Sequence, residues 1–311
     1  MADNILVIKL GALGDFVQAM GPFAAIRNHH ADAKITLLTT GPYVELAHAC
    51  GLFDRVWTDL KPRSLALSQW AGLRRQLRTG KFQRVYDLQT SDRSSFYRRL
   101  FWPGPNPQWS GIARGCSHPH ANPKRDFMHT IERQAEQLKV AGIEQVPGPD
   151  SAAALAGLDG PVDQFNIKHD FAILVPGGAP HRPEKRWANE NYSKLAEHLL
   201  EQGLVPVLLG GPAETEAMEM IAADHPEVKN LCGQTSLLDI AALARRARLA
   251  IGNDTGPMHL IAAMGCPSWV LYSQVSDPAL CGQRGANVSF IRKRSLADLE
   301  VEKVVEKLDL A

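Results

Sequence analysis

Three residues, far apart in the chain, carry the chemistry that can be read from it: Asp254, Lys185 and Asp15. Asp254 lies in Asn253-Asp254-Thr255-Gly256-Pro257-Met258-His259. An apolar run, Leu249 to Ile251, gives way there to Gly252, and Met258, Leu260, Ile261, Ala262 and Ala263 resume at helical spacing. The pattern is strand, sharp turn, helix. Asp254 or Thr255 can cap that helix through a side-chain oxygen, while Gly256 in its first turn leaves backbone N–H groups open. Such a helix start binds anions, and His259, four or five residues past the cap candidates, is spaced to reach the same mouth. The same residues also describe a capped helix behind a buried strand with no ligand. Lys185 follows the turn Pro176-Gly177-Gly178-Ala179. A Gly-rich loop with a downstream lysine suits a diphosphate, although GxxxxGK[ST] is absent and the loop is no P-loop; on residue type alone Lys185 reads as a surface lysine. Asp15 ends Gly11-Ala12-Leu13-Gly14-Asp15 where a helix opens. It reads as a cap or dipole charge, or as part of a site, because open α/β sheets place ligands beyond the carboxyl ends of their strands.

The elements that must position these residues alternate. In the first half, apolar strand patterns at 5–10, 35–38, 55–58 and 85–88 interleave with helical patterns at 16–26, 43–49, 64–78 and 127–140. In the second half, strands at 171–175, 204–209, 228–231, 249–251 and 268–272 interleave with helices at 192–202, 237–244 and 258–263, and Asn189 is placed to cap the first of these. Alternation of this kind gives a mostly parallel sheet. The length of 311 residues exceeds what one core usually serves, so two domains are expected. The Gly-, Pro- and Ala-rich stretch 146–167 reads as the linker, dividing the chain into 1–155 and 156–311. Gly11 and Gly14 do not make GxGxxG, and the second strand runs into Thr39-Thr40 without an acidic residue. Both points disfavour a nicotinamide or flavin dinucleotide. In the turn Gly210-Gly211-Pro212-Ala213-Glu214, Glu214 reads as a charge favouring a helix N-terminus.

Hydrophobic residues make up 45% of the chain and charged ones 22%, ordinary for a globular protein, and no run reaches the ~18 apolar residues of a spanning helix. Lys9, Asp15 and the early glycines are unlike a signal peptide. Five cysteines without CxxC spacing suit a reduced, cytoplasmic protein. Cys116, His118 and His120 alternate in a loop but lack a recognisable second pair, so no metal site is expected. Charge is segregated. Residues 61–125 hold thirteen Lys and Arg against Asp87 and Asp92 alone, a local +11 in a chain of net +1. Segregation on this scale implies an anionic partner or a solvated basic face, and no nucleic-acid-binding motif accompanies it. Arg63, Arg98 and Arg99, which flank predicted helix ends, are the candidates for direct contact.

The run Asn253 to His259, followed by the strand-like Ser268 to Tyr272, resembles the C-terminal signature of the lipopolysaccharide heptosyltransferases, glycosyltransferase family 9. The likeness recurs at Gly11 to Asp15, Pro176 to Trp187, Gly210 to Glu214 and Ser276-Asp277-Pro278, and leaves residues 60–125 unplaced. It implies the GT-B fold: two Rossmann-like α/β domains, a C-terminal helix crossing back to the first, and catalysis in the cleft. The first domain would take the acceptor, through Gly14 and the basic segment, and the second a nucleotide sugar. The implied reaction is inverting, metal-independent transfer of a heptose-like sugar from a donor such as ADP-heptose to a lipopolysaccharide core, with no cofactor besides that co-substrate. Asp15 would be the base, Lys185 the phosphate contact, Glu214 a neighbour of the nucleoside and Asp254 the residue orienting the sugar. Gly177, Gly178, Thr255, Gly256 and His259 would complete the donor site. One departure stands out: many members carry Ser or Thr just after the Pro-Gly, where this chain has Gly178 and Ala179, so backbone N–H groups would have to substitute. The acceptor is then an anionic glycolipid, met by peripheral contact with the inner face of the cytoplasmic membrane. A catalytically silent nucleotide-sugar-binding protein of the same fold and an RNA-binding module are the rival readings.

Overall fold

The computed structural model describes residues 3–179 and 181–308; Met1, Ala2, Pro180, a member of the loop before Lys185, and residues 309–311 lie outside it. The chain divides into two compact units, 1–157 and 158–311. In the first unit the strands are β1 (Asn4–Ile8), β2 (Lys34–Thr39), β3 (Arg55–Thr58), β4 (Arg84–Asp87), β5 (Gln108–Gly111) and β6 (His118–Pro119). Its helices are α1 (Leu13–Gln18), α2 (Met20–His29), α3 (Val44–Ala49), α4 (Leu67–Thr79), α5 (Asp92–Tyr97), α6 (Thr130–Val140) and α7 (Ala152–Leu155). The second unit has β7 (Phe171–Val175), β8 (Val205–Leu208), β9 (Lys229–Asn230), β10 (Leu249–Asn253), β11 (Ser268–Tyr272) and β12 (Val288–Arg292). Its helices are α8 (Asn189–Glu201), α9 (Thr215–Ala222), α10 (Leu237–Arg246), α11 (Gly256–Ala263), α12 (Pro278–Cys281) and α13 (Val301–Val305).

Each unit forms one six-stranded sheet, in the orders β3-β2-β1-β4-β5-β6 and β12-β11-β10-β7-β8-β9, and every pairing is parallel. Counted from its own first strand, each unit has the order 3-2-1-4-5-6, so two Rossmann-like folds of one topology share the chain. The inner strands are buried on both faces, which is why Ile5, Leu6, Val7 and Ile8 form a continuous apolar run. Gly252, opposite Val175 on β7, is required by close packing. A Cβ there would lie 2.7 Å from the Val175 Cβ and 2.8 Å from the Met258 sulfur, so the glycine lets α11 rest directly on its strand.

Several expected boundaries move. The helical pattern 16–26 is two helices broken at Ala19, and the pattern 64–78 becomes helical only at Leu67. Asn189 does not cap its helix; it is the first helical residue, behind an Ala188 that makes no side-chain bond. The stretch 146–167 is not a bare linker. It holds α7, packed on α2, and a 3-10 turn at Val162–Phe165 packed on α10. Residues 60–125 contribute β5, β6 and α5, the last started by a Ser91/Ser94 capping box. The terminal segment supplies α13, which lays Val301 and Val304 on α8 in the core of the second unit. No helix among the described residues is long and apolar enough to cross a membrane.

Candidate nucleotide-sugar site

In a doubly wound sheet, ligands bind where the strand order reverses, beyond the carboxyl ends of the strands. In the second unit that point lies between β7 and β10. The loops after these strands, Pro176 to Ala179 and Asp254 to Gly256, open onto a cavity of about 620 Å³, within the range of small-molecule sites. Gly177, Gly178, Lys185, Glu214, Asp254, Thr255 and Gly256 all line it. Val175, Leu209, Leu237 and Ile240 give it an apolar part of its lining. The opposite character comes from Arg182, Lys185 and Arg186 and from the start of α11. A flat ring against the first part and a diphosphate against the second would match both.

The start of α11 is uncapped. Thr255 occupies the N-cap position in extended conformation, but neither it nor Asp254 caps the helix through its side chain, contrary to expectation. The Thr255 hydroxyl is buried with no hydrogen-bond partner. Thr255, Gly256 and Pro257 line the cavity, so the start of α11, less the amide that Pro257 lacks, borders it without an internal anion. His259 departs from expectation too: it is buried in α11 and is not among the residues lining the cavity.

Glu214 holds the two glycine loops together. Its Oε1 accepts from the Gly178 N–H at 2.9 Å and its Oε2 from the Gly211 N–H at 2.7 Å. A Cβ at Gly177 would collide with this carboxylate, which accounts for glycine at that position. The Gly178 amide, expected to stand in for a missing hydroxyl, is thus already engaged. Arg186 donates to the Gly178 carbonyl. Asn253, fully buried, ties the strand ends together: its amide donates to the Pro176 and Gly177 carbonyls, and its Oδ1 accepts from the Trp187 N–H and the Tyr192 hydroxyl. Sequence reasoning passed over Arg182, Arg186 and Asn253 as site residues. The first two stood in the quoted run Pro176 to Trp187 and only their charge marked them; Asn253 looked like part of a turn.

Lys185 and Asp254 form a largely buried ion pair, Nζ to Oδ2 at 2.6 Å, with side chains 12% and 7% exposed. Oδ2 also accepts from the Ser276 hydroxyl at 2.6 Å, while the Tyr272 hydroxyl and the Gln283 amide lie 3.0 and 3.3 Å from Oδ1. A carboxylate has about four acceptor sites, and four donors meet these two oxygens. Burial would raise the Asp254 carboxyl, but the Lys185 and Ser276 hydrogen bonds outweigh it and hold the pKa below the usual carboxylate value. Burial and the Asp254 charge push the Tyr272 phenol upward, so it stays a donor. Asp254 is therefore placed to aim the Lys185 ammonium, and its own oxygens are occupied where a sugar hydroxyl was expected.

In the first unit Asp15 lies in the first turn of α1, half-buried, beyond the end of β1. It caps nothing; the N-cap, Ala12, makes no side-chain bond. Gly14 precedes it in the same turn. Among its charged and titratable neighbours are Lys9 and Tyr43. Lys9 is 3% exposed and donates to the Leu88 carbonyl at 3.1 Å; burial lowers its pKa, and Asp15 opposes that. Arg98 spends its guanidinium on the Arg114 and Gly115 carbonyls, whereas Arg63 and Arg99 are exposed. Arg98 and Arg99 line a separate cavity of about 550 Å³ with Phe101 and Trp102. Cys116, His118 and His120 do not converge: their contacts are the Gly111 carbonyl, Ser117 and Glu136 respectively.

Two Rossmann-like units of one topology, the second with an ion-paired lysine and an uncapped helix start at its switch point, fit the GT-B fold. The family model described as glycosyltransferase family 9 (heptosyltransferase) matches residues 70–308. Lipopolysaccharide heptosyltransferase 2 of Escherichia coli (strain K12) is 36% identical over 292 residues, covering 88% of this chain and 83% of its own. The chain belongs to glycosyltransferase family 9 and is a glycosyltransferase of the heptosyltransferase type. Its fold superposes on a family 9 glycosyl transferase from Veillonella parvula (TM-score 0.83, 21% identity, 98% of this chain and 95% of that one). It superposes also on the E. coli ADP-heptose lipopolysaccharide heptosyltransferase II (TM-score 0.80, 22% identity, 97% and 96%).

Proposed function

We propose that this enzyme transfers a heptose from ADP-heptose to an anionic glycolipid of the lipopolysaccharide core, with inversion and without a metal ion or further cofactor. The observation that carries the donor half is the cavity at the β7/β10 switch point, lined in part by apolar side chains and in part by Lys185, Arg182, Arg186 and the start of α11. The two E. coli relatives named above are heptosyltransferases, one of them described by its ADP-heptose donor. The local excess of positive charge in residues 61–125 supports an anionic acceptor displayed on an anionic membrane surface, met from the cytoplasmic side.

In this reading the acceptor hydroxyl attacks the anomeric carbon from the face opposite the diphosphate. Its proton passes to the Asp15 carboxylate, and the bond from the anomeric carbon to the diphosphate oxygen breaks. Negative charge then grows on the leaving ADP, where Lys185 and the open N–H groups of α11 meet it. Such preorganised donors act most strongly on charge that develops in the transition state. They fill the role that a divalent cation fills in metal-dependent transferases, which is what supports metal independence here. Asp254 contributes by holding Lys185 in place.

The test is Asp15→Asn. Loss of a general base slows turnover by about 10²–10⁴-fold, and ADP-heptose should still raise the melting temperature of the variant as it does that of the parent. Full activity in the variant would remove the base assignment. A parent protein that binds ADP-heptose and never transfers it to deacylated core acceptor would favour a silent nucleotide-sugar-binding protein.

A further inference from the structure

The first unit leaves in solvent large apolar side chains that a folded core normally hides. Leu60 is 72% exposed, Leu65 92%, Leu67 76% and Trp102 77%, and Phe96 adds to them at 41%. Single exposed leucines are ordinary, but these stand on segments tied to one another by hydrogen bonds and ring contacts. The indole N–H of Trp70 on α4 donates to the Arg63 carbonyl at 3.0 Å. Arg93 on α5 donates to the Pro62 carbonyl at 3.3 Å and lies 5.8 Å from the Trp70 ring centre. Phe96 meets the same ring edge-on at 5.3 Å. Arg74, also on α4, donates to the Trp102 carbonyl at 2.9 Å. The loop before α4, α5 and the Trp102 turn are therefore pinned together, with their leucines and Trp102 outward.

The charge on this surface is predominantly positive, although Asp92 on α5 is exposed too. Lys61, Arg63, Arg75 and Arg99 are exposed, and α4 carries Arg74, Arg75 and Arg78 with no carboxylate. Among the described residues Arg63, Arg75 and Arg99 make no ion pair. Arginines alone would suit any polyanion, including RNA. Protruding leucines would not, because a phosphate backbone offers them nothing to enter. Leucine and tryptophan among unpaired arginines instead match the boundary between acyl chains and anionic headgroups, where apolar side chains and indoles insert and basic ones meet phosphate. We propose that this face of the first unit seats on an anionic bilayer. Leu60, Leu65, Leu67 and Trp102 enter the acyl–headgroup boundary, and Lys61, Arg63, Arg75 and Arg99 rest on lipid phosphates. This deepens the reading of the acceptor as a membrane glycolipid, and the measurement below separates the two.

Full-length protein is sedimented with vesicles of phosphatidylethanolamine and phosphatidylglycerol, and with phosphatidylcholine alone, in the absence of substrates. Each arginine removed in Arg63→Gln/Arg75→Gln/Arg99→Gln should weaken binding to the anionic vesicles about fivefold at low salt and have little effect at high salt. Leu60→Ser/Leu65→Ser/Leu67→Ser should weaken it by about tenfold per leucine at either salt. The leucine variant should keep its melting temperature and its turnover on deacylated acceptor, since these side chains lie outside the core. Lipids with brominated acyl chains should quench the parent's tryptophan emission and spare Trp102→Phe. Binding that salt abolishes and the leucine substitutions leave alone overturns the proposal. So does tighter retention on RNA than on vesicles, or a solution dimer that the leucine variant dissolves. Failure of the parent to use deacylated acceptor would strike the transferase reading and leave the vesicle result standing.

Discussion

Asp87 is the last residue of β4 and Asp254 follows the last residue of β10, and in the shared strand order these two strands hold the same place. Each aspartate is buried beside a lysine from the loop after its unit's first strand, Lys9 in one case and Lys185 in the other. Their states are opposite. Asp254 is bonded directly to Lys185 and held below the ordinary carboxylate pKa. Asp87 is fully buried, its Oδ2 has no partner, and burial pushes it up to about 6 against the amides of Thr90 and Gln89 and the charge of Lys9. Lys9 gives its hydrogen bond to the Leu88 carbonyl instead. The difference comes from the loops. In the second unit, glycines leave a hollow into which Lys185 reaches; in the first, Lys9 directly follows the strand and stays buried, with Asp15 among the charges acting on it. One topology thus yields one aspartate ion-paired beside an open cavity and one buried near a lysine that bonds elsewhere, and the function resides in the loops.

The sharpest way to break this contrast is Lys185→Met. Removing one partner of a buried ion pair leaves an uncompensated charge and costs about 3–5 kcal/mol. The sign with pH follows. In the parent, a depressed carboxyl contributes stability above its unfolded pKa, and that contribution is lost as pH falls through the lower folded value. In Lys185→Met burial faces the Ser276 hydrogen bond without the Lys185 bond and charge, so the Asp254 carboxyl rises and the variant should lose less stability than the parent on acidification. Lys185→Met/Asp254→Asn should recover the fold and still bind ADP poorly. Unfolding curves that show no loss in the single variant would mean that the pair is solvated and does not organise the loop.

The alternation of strand and helix was legible because buried parallel strands are apolar without interruption, as in Ile5 to Ile8 and Leu249 to Ile251. β5, with Gln108, Trp109, Ser110 and Gly111, and β12, partly exposed along its length, carry no such run and escaped. The site residues of the second unit were legible in position, since glycines and charges cluster after its strands. Their roles were less so. Asp254 reads as a cap or a sugar ligand until Tyr272, Ser276 and Gln283, distant in sequence, are seen to surround it. Glu214 likewise needs the fold to show that it spans Gly178 and Gly211. The basic segment was legible as charge, but side chains such as Arg98 and Arg93 serve carbonyls inside the unit, and only geometry separates these from Arg63 and Arg99.

A smaller effect probes the first unit's switch point. With Asp87 up at about 6, the folded protein holds a proton that the unfolded chain, near 3.8, has released. Stability should therefore fall as pH rises between these two values. A shift of this size corresponds to about 3 kcal/mol at most. Asp87→Asn keeps the acceptor for Thr90 and Gln89 and removes the charge, so it should flatten that pH dependence and raise stability near neutrality by about 1–3 kcal/mol. Equal slopes in the two proteins would show that Asp87 titrates normally and that the two switch points differ less than their structures imply.

The finest probe of the second unit's switch point is Thr255→Val. Thr255, at the N-cap of α11, lines the cavity, and its hydroxyl is buried without a partner. Replacing a buried, unpaired polar group by an apolar one of the same shape is neutral or mildly stabilising. The variant without ligand should accordingly melt no lower than the parent, and higher by up to about 1 kcal/mol of stability. With ADP present the order should reverse. Turned toward the cavity when ADP binds, this hydroxyl can donate to a diphosphate oxygen, and a hydrogen bond to a charged group contributes about 1.5–3 kcal/mol, so ADP affinity should fall by about tenfold or more. Calorimetric titration of both proteins reads the two signs together. A variant that loses stability and keeps its affinity for ADP would place the Thr255 hydroxyl in the fold of the loop and leave the anion to the amides of α11 and to Lys185.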